Sequence, residues 1–328
     1  NDMGYQPRSD VVVGHGGLQY RFRRPNRVWH DALTALVTFH DFDFGGHHVD
    51  GGYWQGNTVT FANDWMIDTE LMVVPPTTNV RRTRGGPRMA ERPGSYGSVT
   101  FSTANRKRVV FSLFANRIHT PGAGDGTDYV ELRPALEWKP AANVSLSVGP
   151  DVQRVIEDAQ YVRKVAAPGE VPADFGGHRY VFARMDQTTI AADIRLDISF
   201  TPRLSLRTYL QPLVSAGRFS GFKELARAGS YDFLRYGPLY DPVTGTVTPP
   251  GGTAFALSDP SFNTRSLRGN AVLRWEYRPG SVLFFVWTQE RSDFELDGEP
   301  RLGPSARRLF DADADDVFMV KATYYLDL

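Results

Sequence analysis

The stretch Arg265-Ser266-Leu267-Arg268-Gly269-Asn270-Ala271-Val272-Leu273-Arg274-Trp275-Glu276-Tyr277-Arg278-Pro279-Gly280-Ser281-Val282-Leu283-Phe284-Phe285-Val286-Trp287-Thr288-Gln289 decides how the chain is read. Leu267, Gly269, Ala271, Leu273, Trp275 and Tyr277 fall on one side. Arg268, Asn270, Arg274 and Glu276 fall on the other, with Val272 breaking the polar series. A period of two describes a strand with one apolar and one polar face. Pro279-Gly280 then reverses the chain, because proline presets a negative φ and glycine accepts the positive φ that follows. Val282 to Trp287 returns as a second arm. Arms of about 12 residues exceed the 5 or 6 usual in soluble sheets. They are long enough to cross a bilayer at a tilt, which takes about 9 to 11.

Such a hairpin suits a soluble sandwich, its polar face in bulk water, or an outer-membrane barrel, its apolar face in lipid and its polar face in a wet lumen. Composition narrows the field around it. The chain has 328 residues, with 37 Lys and Arg against 37 Asp and Glu, so no polycation points to nucleic acid. Cysteine is absent, which removes disulfides, thiolate chemistry and Cys-ligated metals. The longest apolar run, Val282 to Trp287, is too short for a transmembrane helix. A mean hydropathy of -0.35 is compatible with barrel strands, which are only half apolar.

Alternation recurs along the chain. It runs through Leu18, Tyr20 and Phe22, then Leu33, Ala35, Val37 and Phe39 as the other arm of a hairpin, then Ile67 to Val73. It returns in Val130 to Trp138, Val144 to Val148, Ile190 to Phe200, Leu204 to Leu210, and Phe318 to the carboxyl end. Strands around Phe101 and Phe111 have ambiguous facing. Residues 77–95, 157–177, 217–264 and 293–315 carry no periodicity and read as long loops. Short reversals near 25, 63, 106, 141, 202 and 279 alternate with longer links near 45, 85, 123, 167, 240 and 304. Outer-membrane barrels have this asymmetry of periplasmic turns and extracellular loops. The expected fold is all-β, an antiparallel transmembrane β-barrel of about 13 strands in a single domain, 1–328. An odd count with the first strand starting on the long-loop side, near Asn1 to Asp10, suggests the carboxyl-terminal part of a larger barrel.

Several motifs carry a family resemblance: Asn1-Asp2-Met3-Gly4-Tyr5, Asp158-Ala159-Gln160-Tyr161-Val162, Tyr180-Val181-Phe182-Ala183, Asp186-Gln187-Thr188-Thr189, Phe200-Thr201-Pro202-Arg203-Leu204-Ser205-Leu206, Phe222-Lys223-Glu224-Leu225, and Val317-Phe318-Met319-Val320-Lys321. With these the chain resembles the carboxyl-terminal barrel region of uncharacterised bacterial outer-membrane proteins that carry an amino-terminal domain similar to carbohydrate-binding module family nine. The likeness covers essentially the whole chain and is densest from Arg179 to Leu328. It implies a bacterial outer-membrane location, outer-membrane lipids as partners, and polysaccharide as a partner only of the amino-terminal domain, which this sequence lacks. It implies no established catalytic role.

In this reading Glu131, Arg133, Asp193, Arg195, Asp197, Arg207, Arg274 and Glu276 are the lumen-facing charges. Trp138, Trp275, Tyr277, Trp287 and Tyr324 are the candidates for an interfacial aromatic girdle. With Phe200 opposite Leu204 across a three-residue connection, partner numbers sum to 404, so Asp197 faces Arg207 and Arg195 faces Tyr209. His40, Asp41, Asp43, His47 and His48 have ligand chemistry but no recognised metal spacing, and read as a hydrophilic loop at a strand end. Asp311, Asp313, Asp315 and Asp316 lack the glycine and closing glutamate of a calcium loop. Gly122 to Gly126 sits between strands, away from any helix that would form a phosphate cradle. No Gly-x-Ser-x-Gly elbow accompanies the seven histidines. The expectation is a non-enzymatic barrel without cofactor or metal, acting as a channel or a membrane platform. The alternatives are a barrel-embedded hydrolase acting on surface glycans or lipids, and a soluble all-β carbohydrate-binding protein.

Overall fold

In the computed structural model, which describes residues 10–122 and 126–326, the chain is built around one antiparallel sheet. Its strands are β1 (Val11–Phe22), β2 (Trp29–Asp43), β3 (His48–Phe61), β4 (Met66–Val74), β5 (Gly94–Ser102), β6 (Val109–Thr120) and β7 (Thr127–Ala141). They continue as β8 (Val144–Ala166), β9 (His178–Thr201), β10 (Leu204–Leu225), β11 (Phe262–Arg278), β12 (Ser281–Glu295) and β13 (Asp315–Thr323). Each pairs with the next in chain order, and a short strand, Phe233–Arg235, adds to β10. Since all thirteen alternate in direction, β1 and β13 run the same way. Among the described residues these two edges do not pair with each other, so the sheet is open. The Asn1 to Asp10 start and the final Asp327 and Leu328 fall almost wholly outside the described residues, as do Ala123 to Asp125 of the glycine-rich link.

Register explains why alternation organises the sheet. Val144, Ile198, Leu206, Leu273, Phe285 and Val320 are successive cross-strand partners from β8 to β13. A second such row joins Trp138, Leu146, Leu196, Thr208, Ala271, Trp287 and Phe318. β-Branched and aromatic side chains meet across the ladder at Val144–Ile198, Phe285–Val320 and Trp287–Phe318, the contact that stabilises sheets. The band from Ile190 to Phe200 covers 11 residues, about 36 Å of extended strand, which a tilt near 45° would set at about 25 Å in height. On the long-link side the same face turns polar, with ion pairs Arg117–Asp128 (2.6 Å), Arg154–Asp186 (3.1 Å) and Arg218–Glu299 (3.0 Å).

Several sequence expectations need correction. The loop expected at 157–177 shrinks, because β8 continues to Ala166, and the one at 217–264 loses both ends to β10 and β11. Residues 77–95 contain the strand pair Thr77–Asn79 and Met89–Glu91. Residues 293–315 contain α1 (Leu302–Asp311), whose Arg308 binds Asp293 at 3.0 Å. Thr201 pairs with Leu204 and Phe200 is bulged out, so Pro202-Arg203 forms a two-residue turn. Leu33, Ala35, Val37 and Phe39 lie on the face of Gln19 and Arg21, opposite to Leu18 and Tyr20. Alternation reports a period and not a face, and at this edge the faces are mixed: Thr34, Gln55, Asn57 and Thr69 hydrogen-bond on the same side as Leu18, Leu36 and Leu71.

The strands β8, β9 and β10, at 23, 24 and 22 residues, run far past the apolar band. Their extensions form a three-stranded blade covered on both faces. Met89, Phe175, Tyr180, Phe182 and Leu225 make one cluster, while Val181, Phe222, Tyr236, Val247 and Leu257 make another. Arg82 ties the 77–95 link to the blade through Glu91 (2.8 Å), Glu157 and the Ala159 carbonyl. Two ion pairs are buried there, Lys223–Asp158 at 2.9 Å and Arg179–Glu224 at 2.7 Å. The hydroxyls of Tyr231 and Tyr236 donate to Asp158 and Glu224, and burial raises both phenol pKa values. The links thus hang on buried polar contacts, where loss of one partner is costly.

Asp158→Ala removes the carboxylate beside a buried ammonium and is expected to destabilise the blade by about 3 to 5 kcal/mol. Urea unfolding checks this, and the double replacement Asp158→Leu with Lys223→Met is expected to recover most of the loss. Glu170 supplies a pH test. It accepts from the Thr253 hydroxyl (2.5 Å), the Thr253 amide (3.1 Å) and Arg179 (3.1 Å), and these bonds, the hydroxyl first, hold its pKa below the usual glutamate value. A depressed folded-state pKa gives stability that is present above the ordinary value of about 4.3 and lost as pH falls through the folded one. The protection factors of the amides around Thr253, corrected for the intrinsic pH dependence of exchange, are expected to fall at acid pH in the native protein, and Glu170→Gln is expected to abolish that fall.

Candidate functional site

Turning one residue along each strand moves from the apolar face to its opposite, and there the side chains form a polar ladder. Glu70, Ser98, Asn116, Glu131, Gln153, Thr189, Ser215 and Thr264 are successive partners across β4 to β11. The neighbours bond laterally. Ser98 donates to Glu70 (3.3 Å), Asn116 to Glu131 (3.1 Å), Gln153 to Glu131 (3.4 Å), and Thr189 and Ser215 share a bond of 2.8 Å. Arg133 closes on Glu131 at 3.1 Å and stacks over the Phe114 ring at 4.4 Å. Gln153 also donates to one Asp151 oxygen (3.0 Å), leaving the other without a partner.

Burial on one strand inverts the usual order. Glu131 is 7% exposed, yet its neighbours Val130 and Leu132 are 45% and 44% exposed. On β7 the polar side is the crowded one and the apolar side the open one, whereas on β9 Asp193, Arg195 and Asp197 are exposed and Ile194, Leu196 and Ile198 half-buried. Soluble domains bury their large apolar side chains and expose their charges. A contiguous apolar face of this size marks contact with another phase or partner.

All eight charged residues singled out in the sequence, Glu131, Arg133, Asp193, Arg195, Asp197, Arg207, Arg274 and Glu276, stand on this polar face. Asp197 is opposite Arg207 and Arg195 opposite Tyr209, the expected register. The Asp197–Arg207 contact is loose, 3.9 Å and exposed, while Arg195 stacks on the Tyr209 ring at 5.1 Å and Tyr209 donates to Asp193. Arg274 and Glu276 pair at 3.1 Å near the Pro279-Gly280 turn. Trp138, Trp275 and Tyr277 are exposed on the apolar face close to short turns, with Tyr324 nearby accepting from Arg278 (2.5 Å). Trp287 stands farther up its strand and stacks on Phe318 at 6.5 Å.

The uncharged members of the ladder escaped the sequence reading, because β5 and β6 alternate too weakly to fix their facing. Strand-by-strand summing of partner numbers from Glu131 outward is the signal that finds them. Chemically the ladder is a dense set of donors and acceptors on a wide surface, suited to hydrating or guiding polar solutes. Among the described residues no three His, Asp or Glu side chains converge on one point as metal ligands.

Comparison with curated proteins and with solved structures finds no match. The family model described as a domain of unknown function, DUF5916, matches residues 1–328, and the chain belongs to that family.

Proposed function

We propose that this chain forms part of a bacterial outer-membrane β-barrel whose open apolar face meets lipid and whose polar ladder lines a wet interior. It acts as a channel or as a membrane platform for a further, carbohydrate-binding-like domain, without catalysis of its own. The inverted burial of Glu131 against Val130 and Leu132 carries the reading. Three features support it: the height of the band, close to the 25 Å of outer-membrane barrels, its polar border of ion pairs, and aromatic residues near the short turns. Strand direction sets a condition on closure. As β1 and β13 run the same way, an all-antiparallel barrel takes an odd number of further strands between them, and unpaired edges in hydrocarbon would leave backbone groups unsatisfied.

Two measurements test this. The protein is expected to float with outer-membrane vesicles, to resist carbonate extraction and to dissolve only in detergent; a monodisperse, detergent-free solution would contradict it. Ile194→Arg is expected to lower stability in lipid by about 2 to 4 kcal/mol near the midplane. Asp197→Ala, which removes an exposed pair, is expected to change it by less than about 1 kcal/mol.

A further inference from the structure

At the long-link end of the first hairpins, His40 on β2 and His48 on β3 approach with His40 Nδ1 and His48 Nε2 only 3.0 Å apart. Their meeting depends on a bulge. His40 is opposite Gly51 and Asp41 opposite Asp50, but Phe42 is opposite His48, so Val49 is an extra residue in β3. Without it, a strict two-residue period would send His48 to the other face. With it, the rings of His40, His48 and Phe42 share one side, with centroids 5.0 and 5.1 Å apart.

Glycine at position 51 is what lets the two histidine rings approach this closely: a Cβ there would lie 2.6 Å from the Phe39 carbonyl oxygen, 2.7 Å from His48 Nε2 and 2.8 Å from His40 Nδ1. The outer nitrogens also have partners: His40 Nε2 lies 3.2 Å from the Thr38 hydroxyl and His48 Nδ1 lies 3.4 Å from the Pro76 carbonyl. Both can accept an N–H, so an ion that displaces the proton now shared between the facing nitrogens would leave each ring donating outward and coordinating inward. Two imidazoles on a tetrahedral ion stand about 3.3 Å apart for bonds of about 2.0 to 2.1 Å, so the observed spacing needs only a slight opening.

We propose that His40 and His48 bind a borderline divalent transition ion, of the Zn2+, Ni2+ or Cu2+ class, as a two-histidine chelate completed by water. The sequence reading expected no metal here because the pair has no recognised ligand spacing; the bulge creates the site. Of the other candidates, Asp43 is engaged by His47 at 3.0 Å and His47 also meets Arg88, so neither joins the pair. No third side-chain ligand converges among the described residues, which leaves coordination positions open to solvent or to a bound solute.

The test titrates Zn2+ calorimetrically into the full chain in detergent and records the paramagnetic resonance of bound Cu2+. About one ion per chain is expected, with hyperfine coupling to two imidazole nitrogens. His40→Gln and His48→Gln are each expected to weaken binding at least tenfold, and His47→Gln is expected to leave it unchanged. Thr38→Val, which removes an outer partner, is expected to weaken it by about 10-fold or more. Zn2+ is also expected to protect His40 and His48, but not His178, from carbethoxylation in the unaltered protein, a readout that requires no variant to fold. Binding equal in the native protein and the His40→Gln/His48→Gln double variant, loss of binding on His47→Gln, or no protection of either histidine would overturn the proposal.

Discussion

The period-two constraint of the strand governs this molecule. Each residue must face one of two sides, and the register of every neighbouring pair must agree on which. From β4 onward the agreement is long-ranged, since Val144, Ile198, Leu206, Leu273, Phe285 and Val320 align without a polar interruption while Asp197 and Arg207 align one step away. A single-residue slip anywhere in this stretch would move charges into the apolar rows and isolate Ile and Leu among carboxylates. The sheet therefore tolerates bulges only near its margins, beside Phe200, Val49 and Ala159, where a change of face is absorbed by a turn or a covering link.

The long-link side adds a second layer to that plan. Once β8, β9 and β10 pass the apolar band, their faces are both covered, and the alternation that served two environments is no longer needed. Tyr180, Val181, Phe182 and Ala183 are consecutive and all buried. The charges that remain there, Asp158, Arg179, Lys223 and Glu224, are paired and hold the links after Ala166 and Leu225 through Glu170, Tyr231 and Tyr236, while Arg82 holds the 77–95 link through Glu157. The chain thus presents, on one end of its sheet, a small folded head where the sequence pattern suggested loose loops.

Legibility followed the physics of exposure. Where one face is open and the other polar, as in Ile190 to Phe200 or Leu267 to Tyr277, alternation revealed the strand, its facing and even the Asp197–Arg207 register. The register survived although the turn is a residue shorter than expected, because the Phe200 bulge makes up the difference. Where both faces are covered, as in Glu157 to Ala166 and Arg218 to Leu225, the pattern vanished and strands were read as loops. Facing was misjudged for Leu33 to Phe39, since a period carries no sign. The polar ladder was half seen: Glu131 and Arg133 announced themselves by charge, while Ser98, Asn116, Gln153 and Thr189 depend on cross-strand partners that no local window contains. The His40–His48 pair was invisible for a similar reason, as it rests on one inserted residue.

The central claim is that the apolar face of the sheet lies against acyl chains and the polar face against water. Spin labels placed singly from Ile190 to Phe200 in lipid vesicles, with relaxation by oxygen compared with relaxation by an aqueous nickel chelate, test it most directly. The account predicts a period of two, with high oxygen and low nickel accessibility at Ile190, Ile194, Leu196 and Ile198 and the reverse at Asp193, Arg195 and Asp197. Equal nickel accessibility at even and odd positions would contradict it.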